Sequence, residues 1–170
     1  MTTATEVGRV EMRIVKVVGL IAADDQWFPY VVLEELSGDR HLAIEIGQAE
    51  AFSLAARLGG MEWRRPMTYQ FAAGLVQALG GRIRQVQINR VVEETYLATV
   101  EVNGPLSVQS VDARPSDALN LVALVQAPIF VAPEVLQEAE GRRTGDSPEA
   151  ARLRRALVTS PMTVESVGLT

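Results

Sequence analysis

The sequence predicts an α+β fold, with antiparallel hairpins interleaved with amphipathic helices in a single compact domain. Three observations lead there. Alternating or β-branched apolar runs come in pairs separated by turn residues, as at 27–46 and 95–112. Apolar residues at helical spacings follow each pair, at 51–58 and 115–125. The pairs are too closely joined for crossover helices, which argues against a doubly wound parallel sheet.

Composition narrows the classes. The chain has 170 residues, 48% hydrophobic and 22% charged, an ordinary balance for a globular domain. No apolar run approaches the roughly 18–20 residues that span a bilayer, so no membrane partner is expected. The start, Met1 to Glu6, lacks the pattern of an export signal, and the cytoplasm is the expected compartment. The absence of cysteine excludes disulfides and thiolate metal sites. A net charge of −5 supplies no overall basic surface for nucleic acid, so any such contact needs a local patch.

Residues 1–8 read as a disordered lead-in, 9–140 as the domain, and 141–170 as a polar linker with a tail of helical pattern. Val10 to Ile21 reads as a strand, broken at Asp24-Asp25. Trp27 to Leu36 and His41 to Ile46 read as a hairpin closed at Ser37-Gly38-Asp39. Gly47 opens a helix through Leu58, with Glu50 in its first turn. Thr68 is a candidate N-cap for a second helix, with Phe71, Ala72, Leu75, Val76 and Leu79 as its apolar face. Strands follow at Ile83 to Val92 and Thr95 to Val102. Asn103-Gly104 then reads as a tight hairpin turn into Leu106 to Asp112. Glu34-Glu35 and Glu93-Glu94 read as solvated groups beside turns. Pro115 suits the first turn of an apolar helix to Val125. Ile129-Phe130-Val131 is a short strand, and Pro133 starts a helix to about Glu140.

The candidate site lies where a strand meets the 115–125 helix. Asp112, Arg114, Ser116 and Asp117 crowd into six residues there. If Asp112 ends the strand and Asp117 opens the helix, their carboxylates can converge as hard-oxygen ligands for magnesium or manganese. Glu50 is a possible third ligand. Such an ion could activate water, and Arg114 could hold a phosphate bidentately. The bland alternative stays open: Ser116 or Asp117 caps the helix, and Arg114 pairs with Asp117 across one turn. His41, the lone histidine, reads as a hairpin-surface residue. Arg57, Arg64 and Arg65 beside Trp63 form either a stacking patch for nucleic acid or a solvated loop with one anchoring tryptophan.

Asp112-Ala113-Arg114-Pro115-Ser116-Asp117-Ala118, followed by an apolar helix and Ala127-Pro128-Ile129-Phe130-Val131, resembles the signature of the bifunctional nuclease domain family. Ile44-Glu45-Ile46-Gly47, Glu50-Ala51, Arg65-Pro66-Met67-Thr68 and Gly80-Gly81 match in the same order, so the resemblance covers residues 9 to 138. It implies an α+β domain that forms homo-oligomers and cleaves DNA and RNA. It carries over Glu50, Arg65, Thr68, Asp112, Arg114, Ser116 and Asp117, with Arg65 and Thr68 read as substrate-binding. There is one departure. Where the family commonly places His-Asp after its Arg-Pro-Leu-Thr, this chain has Tyr69-Gln70. Two readings follow: a metal-assisted phosphodiesterase, or a non-catalytic oligomeric module that binds a small anion or a protein partner.

Overall fold

The computed structural model describes residues 12–22, 29–37, 40–144 and 151. The expected lead-in, the break at Asp24-Asp25, part of the 37–39 turn and most of the arginine-bearing tail lie outside those residues. In chain order the elements are β1 (Arg13–Ala22), β2 (Pro29–Glu35), β3 (His41–Glu45), α1 (Gln48–Leu58), α2 (Thr68–Ala78), β4 (Arg82–Val92), β5 (Thr95–Asn103), β6 (Val108–Ala113), α3 (Pro115–Val125), β7 (Ile129–Val131) and α4 (Pro133–Thr144).

The strands form one mixed sheet in the order β3-β2-β1-β7-β4-β5-β6. Each neighbouring pair is antiparallel except β4 with β7, which is parallel. The short β7 joins two meanders, pairing Ile129 with Val15 on one side and with Val86 on the other. Its parallel contact follows from α3, which carries the chain back across the sheet before β7. Leu42, Ile44, Val86, Ile88, Ala98 and Val100 point into the core, where Leu54, Leu119, Val122 and Leu136 from the helices meet them.

Strand β4 needs a correction to its alternation to do this. Ile83 and Val86 are both buried although three residues apart. A register shift between Ile83 and Gln85 inserts one extra residue, Arg84, and brings both apolar side chains to the same face.

The structure differs from the sequence expectation at four places. The tight two-residue hairpin is Glu93-Glu94, with φ of 46° and 67°, rather than Asn103-Gly104. The β5–β6 connection runs through Gly104 to Ser107, closed by the Gly104 N–H donating to the Ser107 carbonyl at 2.8 Å. Glu35 is buried rather than solvated, because Arg40 clamps its carboxylate with bonds of 2.7 and 2.9 Å. Helix α4 continues past Gly141 to Thr144, where Glu138–Arg142 and Glu140–Arg143 pairs favour the helix over a linker.

The helices divide sharply in burial. Six residues of α3 are buried and none of α2 is. No helix among the described residues is long and apolar enough to cross a membrane.

Candidate functional site

The first turns of α1, α2 and α3 meet at one point, and each contributes a polar side chain. Local sequence explains why. Gly47 precedes α1, and a Cβ at that position would collide with the Glu50 carboxylate, so glycine leaves room for Glu50 to fold back over the helix start. Pro115 begins α3 with φ already near its helical value and no N–H to leave unpaired. That places Arg114 at the N-cap in extended conformation and Asp117 in the first turn. Helix α2 starts at Thr68, the expected cap, so the true cap falls one residue earlier. Met67 is its N-cap, and the Met67 N–H donates to the Gln70 side chain at 2.7 Å.

Arg114 is the hub. Its Nε donates to Asp117 Oδ2 at 2.7 Å, and its Nη2 donates to Asp117 Oδ1 at 3.0 Å and to Glu50 Oε1 at 2.8 Å. Tyr69 completes the cluster, its hydroxyl donating to Asp117 Oδ1 at 2.7 Å. Nη1 of Arg114 takes no partner among the described residues, and the side chain is 67% exposed. The cluster therefore presents free guanidinium donors to solvent while its carboxylates are occupied.

These contacts shift the titrations. Partial burial pushes the Asp117 carboxyl up, but bonds from Arg114 and Tyr69 outweigh it and hold the group below its ordinary range. Burial first, and the Asp117 carboxylate second, push the Tyr69 phenol well above its usual value. Asp117 and then Glu50 hold the Arg114 proton more tightly still. At neutral pH Asp117 is a carboxylate, Arg114 a guanidinium and Tyr69 a neutral phenol.

Beneath the cluster lies Asn120, buried on the inner face of α3 one turn after Ser116. Its Nδ2 donates to the Glu50 carbonyl at 3.1 Å and to the Ser116 carbonyl at 2.9 Å, tying α1 to α3. The sequence reading missed it. The available signal was a lone amide between Leu119 and Val122, which has to find partners when buried.

The other expected residues fall around this centre. Ser116 is buried under it. Arg65 and Thr68 are exposed at the approach to α2, and the Arg64 and Arg65 guanidinium groups are unpaired among the described residues. Arg57 donates from Nε to the Ala123 carbonyl at 3.2 Å, and Trp63 tilts against Phe52 with centroids 6.0 Å apart. Both thus hold the loop and α1 in place. His41 lies beside Glu34 at 3.4 Å.

Asp112 is separate. It pairs in register with Thr99, while Val111 and Ala113 pair with buried Val100 and Ala98. Strand alternation therefore turns Asp112 away from the core face that α3 covers. Among the described residues no three acidic, histidine or cysteine side chains gather as a metal site, so Asp112, Asp117 and Glu50 do not form one group. Glu50 and Asp117 have the right donor chemistry for magnesium or manganese, but in this arrangement a guanidinium already sits between them.

Comparison with known proteins decides the family. The model of the bifunctional nuclease domain matches residues 31–143, from β2 to the end of α4. The chain belongs to the bifunctional nuclease domain family. Among its relatives is an uncharacterized protein of Mycobacterium tuberculosis, 37% identical over 125 residues, which are 74% of each chain. Bifunctional nuclease 2 of Arabidopsis thaliana is 30% identical over 109 residues, covering 62% of this chain and 33% of the plant protein. Bifunctional nuclease 1 of the same plant is 29% identical over 123 residues, 70% of this chain and 38% of the plant protein. The matched region thus makes up most of this chain but little more than a third of those plant relatives at most.

Proposed function

We propose that this protein is a cytoplasmic nuclease that hydrolyses phosphodiester bonds in DNA or RNA at the α1–α2–α3 junction. The observation that carries the reading is Arg114, a family-signature arginine with an unpaired, solvent-facing Nη1 at a helix start. A phosphate oxygen would bind there, helped by the positive end of the α3 dipole. Asp117 and Glu50 hold the guanidinium plane still, so little orientation is lost on binding. The unpaired Arg64 and Arg65 and the exposed Thr68 stand beside the approach and would carry neighbouring phosphates.

A magnesium or manganese ion belongs to the proposal. Glu50 through Oε2 and Asp117 through the remaining lone pair of Oδ2, the positions that Arg114 and Tyr69 leave open, would hold it, and when bound it would supply Lewis-acid stabilisation and an activated water. Tyr69, neutral and bonded to Asp117, would keep that carboxylate oriented. Asp112, on the far face of β6, is expected to contribute through substrate contact rather than as a ligand beside Asp117. Assembly as a homo-oligomer is proposed through α2 and the β6 edge, where Phe71, Leu75, Leu79, Val108 and Val111 are exposed.

The test is cleavage of single-stranded DNA and RNA with magnesium, with manganese and with chelator. Wild type is compared with Arg114→Ala, Asp117→Ala and Asp112→Ala variants whose circular dichroism is unchanged. Metal-dependent cleavage lost in Arg114→Ala and Asp117→Ala supports the proposal. Equal cleavage by all forms overturns it. Absence of cleavage with every metal favours the second reading, a binding module whose carboxylates are occupied by Arg114.

A further inference from the structure

A cavity of about 830 Å3 lies between α2, the start of β4 and the C-terminal end of α3. Its volume is in the range of about 300–1,000 Å3 typical of small-molecule sites. Helix α2 lines it with Gln70, Ala73, Gly74 and Gln77, which are one face of the helix at spacings of three and four. Two of these are small, and a Cβ added at Gly74 would meet no atom within 4 Å. The space exists because this face of α2 carries little bulk.

The lining has a definite chemistry. It includes Arg82 and Arg84 and, among the described residues, no carboxylate, although the whole chain carries a net charge of −5. Arg84 leans on Glu101 at 3.5 Å, whereas the Arg82 guanidinium has no partner among the described residues. Four side-chain amides, from Gln70, Gln77, Asn103 and Gln126, offer donors and acceptors together. Of the last carbonyls of α3, that of Val122 accepts the Gln126 N–H and that of Ala123 accepts from Arg57, which leaves those of Leu124 and Val125 as acceptors at the same end. Ile83, Leu124 and Pro128 provide apolar wall.

A ligand matching this set carries a negative charge for Arg82, an apolar body, and an edge mixing donors and acceptors. We infer that the cavity is a nucleotide-binding site, distinct from the Arg114 cluster and not dependent on the nuclease reading. Phosphate lies toward Arg82, and the base lies against the apolar wall with its edge on the amides. A free mononucleotide and one unit of a bound strand share this chemistry. Gln70 of the lining is the chain neighbour of Tyr69 in the cluster.

Calorimetric titration tests the site with two probes, AMP and a short single-stranded RNA, in the presence of chelator so that cleavage plays no part. Gly74→Leu puts bulk into the open space and raises helix propensity, and Arg82→Ala removes an exposed, unpaired charge, so both variants should fold. The expected result is AMP binding weakened at least about tenfold in both variants, as for loss of one charge-assisted contact. Arg90→Ala, at an exposed arginine of β4 outside the lining, should leave AMP binding unchanged. A parallel loss of RNA affinity identifies the ligand as a unit of the strand, and RNA affinity left intact identifies it as a free nucleotide. The inference is overturned if neither probe binds more weakly to Gly74→Leu. It is equally overturned if only Arg82→Ala has an effect, since surface charge then accounts for the binding.

Discussion

Helices α2 and α3 are the same length, 11 residues, and both read as apolar helices, yet the molecule treats them oppositely. Helix α3 buries six residues, with Leu119 fully enclosed, whereas α2 buries none and leaves Phe71 60% and Leu75 48% exposed. The difference lies in what each helix can lean on. Helix α3 lies against β4 and β5 and is flanked by α1 and α2. Helix α2 leans mainly on α3, with Ala73 and Val76 touching the core and its larger apolar stripe turned outward. An apolar face thus marks a surface that seeks a partner, and the partner need not lie within the same chain.

The largest expected effect comes from breaking the buried side. Leu119→Ala should destabilise the chain by about 3 kcal/mol, read from urea unfolding, because the site is enclosed and cannot collapse freely. A loss near zero would mean that α3 is not the core helix.

Next comes the amide that ties α3 to α1. Asn120→Ala removes the donor to the Glu50 and Ser116 carbonyls and should cost about 1–2 kcal/mol. It should also loosen Glu50, visible as faster hydrogen exchange in the first turn of α1. Unchanged exchange there would rule out a positioning role.

The Tyr69–Asp117 bond couples the two helices and should make their contact pH-dependent. Asp117 is held below its ordinary range, so its stabilising contribution is present above its unfolded pKa of about 3.9 and is lost as pH falls through the lowered folded value. Tyr69 is held above its ordinary range, so its contribution is full below its unfolded pKa of about 10 and is lost as pH rises toward the folded value. Exchange protection in α2 should therefore be flat between those limits and fall outside them, and Tyr69→Phe should abolish the alkaline limb. An alkaline limb that survives Tyr69→Phe would assign it to another group.

The smallest effect is expected on the outer stripe of α2. Leu75→Ala should change monomer stability by less than about 0.5 kcal/mol, because little contact is lost. If the stripe is an assembly surface, the same substitution shifts the sedimentation coefficient instead. A stability loss comparable to that of Leu119→Ala would erase the contrast between the two helices.

Much of the fold was legible in the residues. Alternation gave away β2 and β3 as a hairpin, Pro115 marked the start of α3, and Gly47 marked the start of α1. These are local effects, decided by backbone angles and by apolar spacing within one element. The hairpin at Glu93-Glu94 was not legible, since glutamate has no preference for positive φ and only the paired strands hold it there. The burial of Glu35 depended on Arg40 reaching back across the turn.

The candidate site divides along the same line. By itself the sequence determined that Asp112, Arg114, Ser116 and Asp117 lie where a strand gives way to a helix, because four polar groups beside a proline can be read without knowing what lies opposite. Only the tertiary structure decided which of them meet. Strand alternation and pairing with Thr99 turn Asp112 off the core face, while the packing of α1 and α2 against α3 brings Glu50 and Tyr69 to Arg114 and Asp117 from 64 and 48 residues away. The direction of the α2 stripe was settled in the same way, by which neighbours the sheet and α3 left within reach.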